Sequence, residues 1–170
     1  MPSILIGGGS RSGKSRYALE VARTRGPRLA FIATAQAFDD EMRQRIDRHR
    51  SERGTEFTTI EEPLTIARAI SEAAARFDTI LVDCLTLWLS NLMLAGGFDV
   101  AAESLQLLEA VRQADPATVI LVTNEVGCGI VPDNALAREF RDAAGRLNQQ
   151  AAEQAAEVYW MVFGIPMRVR

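Results

Sequence analysis

Gly8-Gly9-Ser10-Arg11-Ser12-Gly13-Lys14-Ser15 meets the pattern G-x-x-x-x-G-K-[ST] at each of its fixed positions. The apolar run Ser3-Ile4-Leu5-Ile6 leads into it. From Lys14 onward Tyr17, Ala18, Val21 and Ala22 fall at helical spacing. A strand, a glycine-rich turn and a helix in that order make a phosphate-binding loop. Gly8 and Gly13 let the backbone curl, so that successive N–H groups face one concavity. That concavity sits at a helix N-terminus, where an anion is favoured. Lys14 is then placed for the β- and γ-phosphates of a nucleoside triphosphate, and the Ser15 hydroxyl for Mg²⁺. The loop indicates a ligand class and leaves the reaction open.

Outward from the loop, apolar runs alternate with helical stretches. Arg28–Ala33, Glu56–Ile60, Asp78–Asp83, Thr118–Thr123 and Val158–Phe163 read as strands, with a short final strand after Gly164-Ile165-Pro166. Helices are predicted from Lys14 to about Arg25, Asp39 to Arg53, Leu64 to Phe77, Leu85 to Leu94, Ala101 to Ala114 and Asn134 to Glu157. Gly26-Pro27, Gly54, Gly96-Gly97 and Pro116 supply the stops. Continuous apolar strands separated by helices predict an α/β fold with a mostly parallel sheet covered on both faces. The stretch Val158 to Val169 predicts an antiparallel edge.

Length and composition narrow the class. A chain of 170 residues with 48% hydrophobic residues is expected to form one domain, residues 1–170, with its own core. A net charge of −3 gives no footprint for bulk nucleic-acid binding. Cys84 and Cys128 form no C-x-x-C pair, which suits a reducing cytoplasm. Met1-Pro2-Ser3 runs directly into the first strand, so no secretory leader is expected. The richest apolar stretch, Cys84 to Ala95, is too short to span a bilayer and holds Ser90 and Asn91.

Several residues outside the loop belong to chemistry or to its neighbourhood. Asp83 closes the apolar strand Thr79-Ile80-Leu81-Val82-Asp83, the place from which an acid anchors Mg²⁺ near a phosphate loop. A cap for the helix from Leu85 is the other reading of that acid. His49 is the only histidine, and Arg43, Arg45, Arg48, Arg50 and Arg53 surround it in sequence. Arginine suits phosphate, and a histidine nitrogen there is a candidate nucleophile; a solvated surface histidine is the bland alternative. Met42, Ile46 and His49 share one helical face. Thr34 and Ala35 follow the second strand at the edge that faces the ligand in open α/β sheets. Glu61 and Glu62 precede Pro63 and are surface acids by default. The glycine-rich loop Asn124–Asp133 follows a buried strand on the same edge, where long loops carry function.

Taken together, these segments resemble one family. The segments are Gly8 to Ser15, Ile32-Ala33-Thr34-Ala35, Asp39-Asp40-Glu41-Met42 leading to Arg45-Ile46 and His49-Arg50, and Glu61-Glu62-Pro63. Leu81-Val82-Asp83-Cys84-Leu85-Thr86, Ser90-Asn91-Leu92, Thr123 to Pro132, Phe140-Arg141-Asp142 and Gly145 to Gln149 complete the set. In sequence and spacing the chain resembles, over essentially its whole length, the bifunctional adenosylcobinamide kinase / adenosylcobinamide-phosphate guanylyltransferase family of cobalamin biosynthesis. The resemblance implies a RecA-like P-loop NTPase fold and two reactions. In the first, ATP or GTP phosphorylates adenosylcobinamide. In the second, GMP from GTP passes through a guanylyl-histidine to adenosylcobinamide phosphate.

By the same resemblance His49 is the guanylylated residue, and Lys14 serves catalysis in the loop. Nucleotide contacts fall on Gly8 to Ser15, on Ala33, Thr34 and Ala35, on Arg50, Ser51, Glu52 and Arg53, and on Glu61 and Asp83. Mg²⁺ falls on Ser15 and Asp83, and the assembly is a homotrimer with sites between subunits. Asp83 stands where some members have Glu, and Arg48 where some have a second histidine. An ordinary small-molecule kinase and a nucleotide-driven switch stay open as alternatives.

Overall fold

In the computed structural model the described residues are 3–37 and 40–170, and within them the side chains of Glu41, Met42, Arg45, Arg48 and Glu52 are left undescribed. Asp39, placed by sequence at the head of a helix, therefore lies outside the described residues. The strands form where apolar residues run without interruption. β1 (Ser3–Gly8) and β5 (Thr118–Val122) are buried along their whole length. β2 (Leu29–Ala33) and β4 (Thr79–Asp83) are buried except at their last residue. β3 (Phe57–Glu61), β6 (Glu157–Val162) and β7 (Ile165–Arg168) lie toward the edges and are more exposed.

The strands make one seven-stranded sheet in the order β3-β2-β4-β5-β1-β6-β7. All neighbours are parallel except β6 and β7, which pair antiparallel. Both faces are covered, and the alternation along each strand shows how. Leu5, Ile80, Val82, Val119 and Leu121 face a core shared with α3 (Ile66–Ala74), α4 (Leu85–Ala95), α5 (Val100–Gln113) and α6 (Ala135–Gln154). Ile4, Ile6, Leu29, Phe31, Leu81, Ile120 and Val122 face the other way, onto Ala18, Leu19 and Ala22 of α1 (Lys14–Arg23). α2 (Asp40–Arg53) returns to that same face, where the Arg53 guanidinium lies 4.0 Å from the centre of the Phe31 ring.

Helix boundaries differ from the sequence reading in places, each with a local cause. α3 begins at Ile66 rather than Leu64, because the Glu62 carboxylate accepts from the Leu64 and Thr65 N–H groups ahead of it. Pro63 precedes the helix instead of sitting in its first turn. α6 stops at Gln154 although the alanine-rich run continues. Glu157 is already paired with Ile4 in β6, and its carboxylate accepts from Arg25 and from the Tyr159 hydroxyl.

Much of α4 is apolar because one side of it is buried within the chain, where Leu85, Trp88, Leu89 and Leu92 are each at most 1% exposed, while Leu94 is left 67% exposed. Trp88 Nε1 donates to Leu64 O at 2.7 Å, satisfying the one polar atom of that ring. β6 and β7 are joined by Phe163-Gly164, both at positive φ (51° and 82°). That is the geometry of a two-residue type I′ hairpin turn, which follows the right-handed twist of its strands.

Candidate active site

The site begins where β1 ends. Gly8 has φ 153°, and a Cβ there would stand 2.8 Å from Ser12 Oγ and 3.0 Å from Met161 Cβ, so only glycine lets the loop close. Arg11 holds a left-handed backbone at φ 55°, and Gly13 caps α1 at φ 91°. Among the described residues no side chain caps that helix. The first-turn N–H groups of α1 are thus directed at whatever anion the loop encloses. Lys14 is only 7% exposed, and its Nζ donates to Gly9 O at 2.6 Å and Ser12 Oγ at 3.4 Å. The ammonium is thereby held across the concavity of its own loop. Ser15 is half-buried in the first turn behind it, while Gly9 and Ser10 are exposed at the tip.

The parallel register aligns the other strand ends with the loop. Ile6 pairs with Val122, Val122 with Asp83, Asp83 with Ala33, and Ala33 with Glu61. Glu61, Ala33, Asp83, Val122 and Ile6 therefore form one row across five strands at the carboxyl edge. Strands lie about 4.8 Å apart, which puts Asp83 roughly 10 Å from the β1 backbone as the loop leaves it.

Asp83 does not cap α4. Cys84 does, with its Sγ accepting from Leu87 N at 3.5 Å, which leaves the half-buried Asp83 carboxylate to the site. Burial, helped by Asp83, pushes the Cys84 thiol up to about 11, so it stays protonated and inert.

Thr34 is fully buried and bonded twice to the Cys84 backbone. Its hydroxyl donates to Cys84 O and accepts from Cys84 N, both at 2.8 Å. Asn91, buried in α4, donates to Thr34 O at 2.8 Å and to Pro63 O at 3.0 Å. Thr34 therefore shapes the site by fixing the chain between β2 and β4, while Ala33 and Ala35, both half-buried, line the edge.

α2 meets this edge through its last turns. Arg50 forms an ion pair with Glu61 at the end of β3. Arg53 is 4% exposed. Its Nε donates to His49 O at 3.1 Å and its Nη1 to Thr59 Oγ1 at 3.3 Å. Burial, then the neighbouring Arg50, pushes Arg53 below its ordinary range, while Asp83 and Glu61 pull it the other way. Two arginines and two carboxylates from three elements thus act on one another at one place. Arg53 anchors the helix from beneath, and His49, half-buried, rides one turn before it. Ser51 is exposed. Glu52 has no described side chain.

The glycine-rich loop after β5 is tied to the phosphate loop. Glu125 N donates to Gly8 O at 3.1 Å, and Asn124 N to Thr86 Oγ1 at 2.7 Å. Thr123 Oγ1 donates to Asn148 Oδ1 at 2.7 Å, and Arg141 Nη2 donates to Gly127 O. The sequence alone assigns Thr86, Asn91, Arg141 and Asn148 no role. Their signal is there in hindsight: each is a polar side chain on the inward side of a helix. Glu62, a surface acid by sequence, is half-buried and closes the turn that leads into α3. Burial pushes it up, but the N–H groups of Thr65 and Leu64 outweigh that and hold it below its usual value.

The donor set suits a nucleotide-borne divalent cation. Ser15 and Asp83 offer one hydroxyl and one carboxylate, both hard oxygen ligands. Among the described residues no group of three or more His, Cys, Asp or Glu is gathered around a common point. Two protein oxygens with phosphate and water completing the shell is the usual arrangement for Mg²⁺ at such loops.

A phosphate loop after β1, with β5 standing between β1 and the acid-bearing β4, defines a RecA-like P-loop nucleotide-binding fold. Solved structures agree. The RadB recombinase superposes with a TM-score of 0.56 over 94% of this chain and 73% of its own, at 15% identity. A second solved structure, an ATPase domain, superposes with a TM-score of 0.51 over 94% and 68%, at 12% identity. Within that class, the sequence profile of the cobinamide kinase / cobinamide phosphate guanyltransferase family matches residues 4–169, and the chain belongs to this family. The bifunctional adenosylcobalamin biosynthesis protein CobU of Salmonella typhimurium is 43% identical, over 98% of this chain and 99% of its own. CobP of Pseudomonas aeruginosa, which carries the same description, is 44% identical over 98% and 96%.

Proposed function

We propose that the chain is a bifunctional transferase of cobalamin biosynthesis. It phosphorylates adenosylcobinamide and then joins GMP to the new phosphate, giving adenosylcobinamide-GDP. The observation that carries this reading is the meeting of two devices at one sheet edge: a complete phosphate loop, and an arginine-rich helix bearing the sole histidine. An ordinary kinase needs only the first.

In the kinase step the acceptor hydroxyl attacks the γ-phosphorus of ATP or GTP, the bond from γ-phosphorus to the bridging oxygen breaks, and the nucleoside diphosphate leaves. Lys14 and the backbone N–H groups of Gly9 to Ser15 hold the phosphates in line and stabilise charge that develops on their oxygens. In the transfer step a ring nitrogen of His49 attacks the α-phosphorus of GTP, and pyrophosphate leaves. An oxygen of the acceptor phosphate then attacks the same phosphorus and His49 departs. Two easier displacements replace one between two anions.

Arg50 and Glu61 face each other where the nucleoside would pass, with Ser51 and Glu52 on the adjoining turn. Arg53 holds His49 in place from below. Ser15 and Asp83 would hold Mg²⁺, which supplies charge neutralisation on the phosphates when bound. Ala33 and Ala35 complete the nucleotide contacts. The exposed Cys128 and the inert Cys84 suit a reducing cytoplasm, and no described helix is long and apolar enough to cross a membrane.

The test is product formation. Purified protein with adenosylcobinamide, ATP, GTP and Mg²⁺ should yield first the phosphate and then the GDP derivative by mass spectrometry. Phosphate formation without GMP transfer would reduce the reading to a simple kinase. Formation of neither product would overturn it.

The assembly is proposed to be a homotrimer. Leu94 (67% exposed) and Leu136 (52% exposed) line a shallow apolar groove between α4 and α6, where isolated chains would leave apolar surface in water. Light scattering at micromolar concentration should report three copies. A monomeric mass would remove the trimer and with it any site shared between subunits.

A further inference from the structure

Phe163 is 96% exposed and stands at the tip of the β6–β7 hairpin with a left-handed backbone. A type I′ turn prefers Asn or Gly at that position, so a bulky ring there works against the turn's own preference. The tip is in contact with the phosphate loop. A Cβ on Gly13 would lie 3.4 Å from Gly164 Cα, and one on Gly164 would lie 3.7 Å from Arg16 Nη2.

From this point a groove of about 630 Å³ runs along the outer flank of α1, lined by Arg11, Ser12, Arg16 and Leu19. Its far end reaches Arg23, whose guanidinium already serves Glu56 and Arg53 O. At the loop end, Arg16 has one described ion pair, to Glu20, and that is 3.9 Å long. An exposed aromatic ring and exposed cations thus border the mouth of a phosphate site.

The two proposed reactions ask for different placements of a nucleoside. Guanylylation needs the α-phosphorus at His49, so the nucleoside lies toward α2, beyond β4 and β2. Phosphorylation needs the γ-phosphorus offered to an acceptor and sets no such demand on the nucleoside. Phe163 stands on the other side of β1, beyond β6.

We propose that Phe163, with Arg16 beside it, forms a platform on which the purine of the kinase's donor nucleotide stacks, a base position separate from the one used in guanylylation. The inference rests on the two-step reading for its division of labour, but the binding itself can be tested without turnover. An aromatic face accepts any purine, and Arg16 can lie over the opposite face or along its edge.

The decisive variant is Phe163→Asn. Asn-Gly is the preferred type I′ pair, so this change removes the ring while favouring the turn. Calorimetry would compare Mg²⁺-ATP with inorganic tripolyphosphate on wild type, Phe163→Asn and Phe163→Trp. The expected result is that Phe163→Asn weakens ATP about tenfold, within the range of one lost base–aromatic stack. Tripolyphosphate binding should stay unchanged, and Phe163→Trp should restore ATP. Labelling of the protein by α-labelled GTP should also be unchanged.

Equal loss of ATP and tripolyphosphate would mean a disturbed phosphate loop and would overturn the proposal. Unchanged ATP binding would do the same, whether or not the acceptor's KM rises. So would a change in oligomeric mass, which would make Phe163 an interface residue. If wild type binds ATP with this pattern yet forms no product, the platform stands and the two-step reading fails.

Discussion

Lys14→Ala is expected to lower phosphoryl transfer from ATP to adenosylcobinamide by at least about 10²–10³-fold, the scale for removing one charge-stabilising donor from a preorganised site. Lys14 is the buried cation of the loop, and its Nζ is held inside the curve by Gly9 O and Ser12 Oγ. No neighbour is placed to replace it: Arg11 and Arg16 are exposed and line the groove along α1 rather than the buried interior of the loop. The core beneath the loop is built by Ile4, Ile6, Ala18 and Leu19, which the substitution leaves in place. The variant should therefore melt within a few degrees of wild type. Lys14→Arg should not rescue, because a planar fork does not fit a turn that accepts a compact ammonium. The measurement is transfer of label from γ-labelled ATP, with thermal melting beside it. Near-normal turnover in a folded Lys14→Ala protein would remove the phosphate loop from the kinase step.

Much of this site is legible in the sequence because its signals are local. The phosphate loop is contiguous, and its glycines report backbone angles that few other residues adopt. β1, β4 and β5 are unbroken apolar runs, so a sheet buried on both faces follows directly. Asp83 closes such a run, and its place at the carboxyl edge needs no knowledge of the neighbours.

What the sequence conceals is pairing. Nothing in the residues around Glu61 says that Ala33 and Asp83 stand in the same row, because that row is a property of register across five strands. Arg53 illustrates the same limit. In sequence it is one of five arginines on a basic helix. In the fold it is buried on Phe31 and bonded to His49 O, a support for the helix that bears His49 rather than part of a solvated face. The end of α6 escapes a sequence reading because alanine favours helix whatever follows. The pairing of Glu157 with β1 overrides that propensity through contacts far away in sequence.

His49→Ala is expected to abolish covalent labelling from GTP and to lower GMP transfer by on the order of 10³-fold or more, while phosphorylation of the acceptor persists. The separation follows from where each reaction's parts lie. Lys14, Ser15 and Asp83 sit on the loop, α1 and β4, whereas His49 belongs to α2. The helix should survive the change. Its anchor, Arg53, holds the main-chain oxygen of residue 49 and the Phe31 ring, neither of which the substitution removes. Alanine is also the better helix former.

In wild type, α-labelled GTP with Mg²⁺ should mark the protein and γ-labelled GTP should not, since the β- and γ-phosphates leave together as pyrophosphate. The bond should break in acid and survive alkali, because protonation of the ring makes imidazole a good leaving group. A serine ester would show the opposite stability. His49→Asn keeps some polarity without a nucleophilic ring nitrogen and should behave as His49→Ala does. Label persisting in His49→Ala would place the nucleophile elsewhere. GMP transfer by wild type with no label at any time would mean direct displacement, with His49 at most a binding residue.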